Sequence, residues 1–158
     1  MRRSFITKAA VVLVVMSMLT VLLTGCSKTA VTSEDFKTLA NSKGWLVEDV
    51  SSQFEAYDYI KEATITAPQT MEYQIEFYVL SDSAYAASFF ANNKSTFEMS
   101  KTGNYTDSSA SGKNYEVFSL NVDGQYKFIE RVDNTVVYVD TAAENKEAIQ
   151  AFLKELKY

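Results

Sequence analysis

The chain has 158 residues, a formal net charge of −5, one cysteine and no histidine. This length suits a single domain, and the lack of histidine excludes a Ser/His/Asp triad and the commonest metal ligand. Because the chain is acidic and has no Ser-x-x-Lys, P-loop or EF-hand spacing, we expect no nucleic-acid partner, no metal, no cofactor and no catalytic motif.

Residues 1–25 have the composition of an export signal. Arg2, Arg3 and Lys8 give a basic start, and an almost uninterrupted apolar run covers residues 9–23. A membrane-spanning helix needs about 20 apolar residues, so this run is short for a span and typical of a signal peptide. The pair Arg2-Arg3 also resembles a twin-arginine motif, but so apolar a run favours the general secretory route.

The signal ends in Leu23-Thr24-Gly25-Cys26, which resembles the lipobox of bacterial lipoproteins. In that motif a lipid is joined to the thiol, and a peptidase then cuts just before the cysteine. The sequence therefore predicts that Cys26 is the lipidation site; the alternative is a free cysteine behind an uncleaved anchor. As the only cysteine, Cys26 has no intrachain disulfide partner.

Cleavage before Cys26 would make the chain more acidic. The signal contains three basic and no acidic residues, so residues 26–158 carry 12 basic and 20 acidic residues, a net charge of −8. Anionic lipid repels such a domain, so we expect attachment through acyl chains, each buried CH₂ contributing about 0.8 kcal/mol. We further expect residues 26–32 to form a flexible tether with a reach of ~15 Å, at the outer face of the cytoplasmic membrane.

The remaining residues, 33–158, are expected to form one domain. Ser33 is the predicted N-cap of a first helix, which Gly44 ends in a left-handed conformation. Helices are also predicted at residues 84–99 and from a Thr141-to-Glu144 capping box to the C-terminus. Apolar alternation and turn residues predict strands at 45–50, 62–67, 71–80, 115–121, 125–132 and 135–140.

Two segments have no clear pattern of their own. Residues 51–61 are ambiguous, and the Ser- and Gly-rich residues 100–114 are expected to form an exposed loop. Asp123-Gly124 and Asp133-Asn134 predict hairpin turns, which exclude an all-parallel sheet. The fold class we expect is therefore α+β, with an antiparallel sheet of about five to six strands and helices packed mainly on one face.

The clearest strand, residues 71–80, also provides the candidate ligand site. Its alternation predicts that Phe77 is buried and that Tyr78 lies on the wet face with Gln74 and Glu76. An exposed tyrosine among hydrogen-bonding side chains can stack on a sugar or a peptide, whereas the alternative is that a helix covers it. A pair of carboxylates that meet in space is the competing hypothesis for the chemistry.

The mature chain is similar to small lipoproteins of unknown function from Gram-positive bacteria. The similarity is carried by residues 76–80 before the helix with Phe89-Phe90, and by residues 133–139 before the last helix. It implies a surface-anchored protein and no particular activity. We therefore expect a non-catalytic binding or interaction module whose partner is a cell-envelope protein or wall component; the alternative is a carboxylate-dependent hydrolase acting on envelope material.

The lipobox gives a direct prediction. Cys26→Ser should abolish incorporation of a radioactive fatty acid in growing cells, because a serine hydroxyl does not form the thioether. Equal labelling of variant and wild-type chains would contradict lipidation at Cys26.

Overall fold

In the computed structural model, residues 26–158 are described, so the predicted signal peptide lies outside the described residues. Seven strands of this part form one sheet: β1 (Leu46–Asp49), β2 (Ile60–Ala67), β3 (Ile75–Leu80), β4 (Tyr105–Ser111), β5 (Tyr115–Val122), β6 (Gln125–Val132) and β7 (Thr135–Ala142). The helices are α1 (Ser33–Ser42), α2 (Ser83–Met99) and α3 (Lys146–Leu156), with 3₁₀ turns at Ser51–Phe54 and Ala143–Asn145. None of the helices in residues 26–158 is long and apolar enough to span a membrane.

The sheet is antiparallel throughout, in the order β1-β2-β3-β7-β6-β5-β4. The predicted α+β class and antiparallel sheet are confirmed. The sheet has one strand more than expected because β4 lies in the segment predicted to be a loop. All seven residues of β4 are exposed, so the strand has no apolar alternation to reveal it and is held by its pairing with β5.

Helices cover both faces of the sheet, so the expected concentration on one face is not found. One apolar cluster joins α1 and α3 to side chains such as Phe77, Phe128 and Val137. A second cluster joins α2 to Tyr78, Ile129 and Val136. Each of these three residues is next in sequence to one of the residues named in the first cluster. Because side chains of a strand alternate between faces, the central strands β3, β7 and β6 are buried on both sides.

Several helix ends and turns form where local sequence patterns predicted them. Gly44 follows α1 with φ +68°, and the backbone N–H groups of Gly44 and Trp45 donate to the carbonyls of Asn41 and Ala40. Asp123 and Gly124 both have positive φ in the two-residue turn between β5 and β6. Asp82 caps α2 by accepting hydrogen bonds from two backbone N–H groups.

Other ends differ from the prediction. The N-cap of α1 is Thr32, one residue before the predicted Ser33, and it forms a capping box with Asp35. The predicted capping box at Thr141 is not formed, because β7 continues to Ala142, which pairs with Gln125. The strand predicted at residues 71–80 begins only at Ile75.

Residues 26–31 are docked on the domain and are not the flexible tether that we expected. The carbonyl of Cys26 accepts a hydrogen bond from the backbone N–H of Lys113, 3.3 Å away. Lys28 exchanges two hydrogen bonds with the Asn114 side chain, at 3.0 and 2.8 Å, and its ammonium group pairs with Glu130. Ala30 and Val31 pack against the cluster below α1 and α3. We call residues 26–31 the N-terminal bracket.

A glycine lets the bracket approach the sheet. A Cβ added at Gly112 would lie 2.3 Å from the Cys26 carbonyl oxygen and 2.2 Å from the ring of Tyr115. Any other residue at this position would therefore displace both of them.

Candidate functional site

The three residues of the predicted site lie together, but the tyrosine is not exposed. The Gln74 side-chain amide donates a 2.8 Å hydrogen bond to Glu76, and the Tyr78 hydroxyl donates to the same carboxylate. The Tyr78 side chain is only 7% exposed. Its ring packs against those of Phe54 and Phe89, at centroid distances of 5.7 and 5.0 Å.

The expectation that Tyr78 is an exposed stacking residue is therefore wrong, and the cause is α2, which covers this face. Burial, followed by the charge of Glu76, raises the pKa of the Tyr78 hydroxyl above its usual range, so the phenol stays protonated. Tyr78 is part of the core, and its hydroxyl satisfies Glu76 at the edge of that core.

An exposed aromatic surface does exist beside Tyr78, on the other side of Phe89. Its cavity, of about 440 Å³, is lined by Tyr59, Tyr85, Ser88, Phe89, Asn92 and Asn93. We call these six residues the tyrosine shelf. None of them carries a charge at neutral pH, and together they offer three aromatic rings, two amides and three hydroxyl groups.

The rings of the shelf are arranged by two elements distant in sequence. Tyr85, Ser88, Phe89 and Asn92 follow the i, i+3, i+4, i+7 spacing of one stripe on α2. Tyr59 reaches the shelf from the segment before β2, and its ring stacks on that of Tyr85 at 5.3 Å and 7°. Tyr85 remains 49% exposed, whereas Tyr59 is partly buried and also contacts the ring of Tyr57, so the ring surface open to a ligand is that of Tyr85.

The tyrosine shelf could be predicted only in part from the sequence. The helix at residues 84–99 was predicted, but no side of it was identified as a ligand surface. Tyr59 lies in the segment without clear pattern, and no sequence feature indicated that it meets Tyr85.

A second groove lies between the N-terminal bracket, α1 and the end of α3. Its volume is about 480 Å³, and its lining combines aliphatic side chains such as Val31 and Leu39 with Asp35, Glu155 and Lys157. It offers no aromatic ring. Charged residues at its rim favour water over an uncharged ligand, so we place the candidate site at the tyrosine shelf.

The described residues offer little for acid–base or metal chemistry. Residues 26–158 contain no group of three or more potential metal-binding side chains. Among these residues, Glu130 is the one carboxyl group with a raised pKa. The cause is burial, partly offset by the hydrogen bond and charge of Lys28, and no second carboxylate contributes. The pKa of Glu130 is therefore shifted by burial within an ion pair with Lys28 and not by a second carboxylate.

Comparison of the chain with protein-family models, with curated proteins and with solved structures found no match.

The raised pKa of Glu130 predicts how stability depends on pH. A buried carboxyl group whose pKa is higher in the folded than in the unfolded chain loses stability as the pH rises above its unfolded value, here 4.5. Glu130→Gln keeps an acceptor for Lys28 without the buried charge. We expect this variant to melt at a higher temperature than the wild type at pH 7, and the gap to close near pH 4.

Glu116→Gln is the matched control, since it removes the more exposed ion pair with Arg131 on the neighbouring strand. It should gain no stability at pH 7, because exposed pairs contribute about 0–1 kcal/mol. A Glu130→Gln variant that is less stable than the wild type at pH 7, by a gap that widens with pH, would contradict the assignment.

Proposed function

We propose that the chain is a lipid-anchored binding module at the outer face of the cytoplasmic membrane, and that the tyrosine shelf is its ligand-binding surface. The observation that carries the second half is the exposed Tyr59–Tyr85 stack beside an uncharged cavity of about 440 Å³. Surfaces of this kind bind by apolar contact with a ring face and by hydrogen bonds from a few fixed polar groups.

The position of Cys26 supports the anchoring half of the proposal. Cys26 is exposed and is the sole cysteine, so its thiol is accessible to the enzyme that would transfer the lipid. The bracket binds the domain through backbone groups and Lys28, which leaves the Cys26 side chain free of any structural role in the core.

The chemistry of the shelf favours a neutral ligand with an apolar face and several hydroxyl groups. Aromatic rings stack on the C–H face of a sugar, while the amides of Asn92 and Asn93 offer donors and acceptors to hydroxyls. Asn93 already donates one hydrogen bond, to the carbonyl of Phe89 at 2.9 Å, which fixes its side chain. A glycan of the cell envelope meets these requirements and lies within reach of a membrane-anchored protein.

The test is co-sedimentation of the full chain, solubilised in detergent, with purified peptidoglycan. Tyr85→Ala should weaken binding about two- to twelvefold, because one aromatic stacking contact contributes about 0.5–1.5 kcal/mol. Tyr105→Ala removes an equally exposed tyrosine, at 47% against 49%, from a strand distant from the shelf, and should bind like the wild type.

Three results would contradict the proposal in different ways. Equal binding by the Tyr85→Ala variant and the wild-type chain would show that the tyrosine shelf is not the binding site. A wild-type chain that does not sediment would remove the glycan as the ligand. Release of soluble sugar fragments during incubation would favour the hydrolase instead.

A further inference from the structure

The N-terminal bracket fixes where the lipid would emerge from the domain. Cys26 lies against the turn at residues 112–114, between β4 and β5. This turn bonds to the next one, because the backbone N–H of Asp133 donates to the carbonyl of Asn114 at 2.8 Å. All of these groups lie at one end of the sheet.

The same end continues across the remaining strands through a row of backbone hydrogen bonds. Leu80 donates to the carbonyl of Asn134, and Ser81 donates to the carbonyl of Tyr59, both at 2.8 Å. Tyr57 lies at this end too, since its carbonyl accepts from the N–H of Ile60, the first residue of β2. We call this row, with the turns at 112–114 and 133–134 and residues 57–59, the anchor end.

Tyr105 lies at the opposite end of the sheet. It pairs with Val122, the residue directly before the turn at Asp123-Gly124. The sheet therefore separates two tyrosines of nearly equal exposure, 50% for Tyr57 and 47% for Tyr105.

We infer that the anchor end rests against the lipid bilayer and that the end with Tyr105 points away from it. This inference rests on the proposed lipid anchor at Cys26. No free length of chain separates the lipid from the domain, because the carbonyl of Cys26 is itself hydrogen-bonded to the sheet end. A flexible tether would let the domain rotate, whereas the bracket holds one surface towards the headgroups.

The anchor end has side chains that suit an interfacial position. Tyr57 is half exposed, and tyrosine is enriched where a protein meets lipid headgroups because its ring is apolar and its hydroxyl is polar. Lys113 is exposed beside Cys26, but the anchor end also contains the acidic Asp58 and Asp133, so its position at the bilayer depends on the lipid at Cys26 and not on charge. The partner is therefore the headgroup layer of a phospholipid bilayer.

The orientation also places the tyrosine shelf in the half of the domain near the membrane. Tyr59 belongs to the anchor end, and Tyr85 lies in the first turn of α2, which starts just after β3 ends there. A ligand on the shelf would thus be held near the bilayer surface.

The test uses one tryptophan as a depth reporter in the lipidated full chain, bound to phosphatidylcholine vesicles. Trp45, the only native tryptophan, is replaced by phenylalanine, and Tyr57→Trp and Tyr105→Trp are made separately in that background. Vesicles with brominated phosphatidylcholine should quench the Tyr57→Trp chain at least about twofold more strongly than the Tyr105→Trp chain, because quenching requires contact with lipid. If Trp45→Phe does not fold, Tyr57→Trp and Tyr105→Trp are each made separately in the wild-type chain. The quenching of Trp45, measured in the wild-type chain alone, is then subtracted from that of each variant.

Flotation of the vesicles separates the possible failures. If no chain floats with the vesicles, both the proposed lipid anchor at Cys26 and the proposed orientation are contradicted. If the chains float but the two reporters are quenched equally, or the Tyr105→Trp reporter more strongly, the anchor stands and the orientation is wrong. The double change Lys28→Ala with Asn114→Ala should reduce the difference between the reporters; a difference that persists unchanged would show that the bracket does not set the orientation.

Discussion

Burial of both faces of the three central strands is the constraint on which the rest of this structure depends. In β3, β7 and β6, neighbouring residues such as Phe77 and Tyr78 point to opposite faces, yet both are excluded from water. Each face therefore needs its own cover, and three helices divide between two faces: α1 and α3 on one, α2 on the other. This cover ends before β4, whose residues are all exposed.

That constraint explains the main error of the sequence prediction. Alternation along β3 correctly placed Phe77 in the core, but the same rule put Tyr78 in water, since a polar neighbour at Glu76 suggested a wet face. The sheet face that carries Glu76 and Tyr78 is polar only beyond the part that α2 covers. Which face a helix covers is decided by contacts between segments distant in sequence, and single-strand periodicity does not contain that information.

Features with local causes were predictable, and features with distant causes were not. The left-handed Gly44 and the Asp123-Gly124 turn follow from backbone preferences of those residues. By contrast, β4 exists because β5 supplies its hydrogen bonds, and the bracket exists because Lys28 meets Asn114, 86 positions away. The tyrosine shelf shares this property, because Tyr59 and Tyr85 meet only when β2 and α2 are in place.

The bracket makes residues 26–31 part of the folded domain. Short polar residues after a predicted lipidation site usually indicate a mobile linker, whereas here Ala30 and Val31 pack against the core and Lys28 places a charge beside buried Glu130. Ordering this segment costs conformational entropy, which the hydrogen bonds to Asn114 and the apolar contacts offset. The account of anchoring, orientation and ligand presentation depends on this segment being part of the fold.

Amide hydrogen exchange of Lys28 in the full chain tests that claim most directly. Its N–H donates to the Asn114 side chain at 3.0 Å, so we predict exchange at least about tenfold slower than in an unstructured peptide, and a return to the peptide rate in Asn114→Ala. A Lys28 amide that exchanges at the peptide rate in the wild-type chain would show that residues 26–31 are a free tether, and would contradict the account.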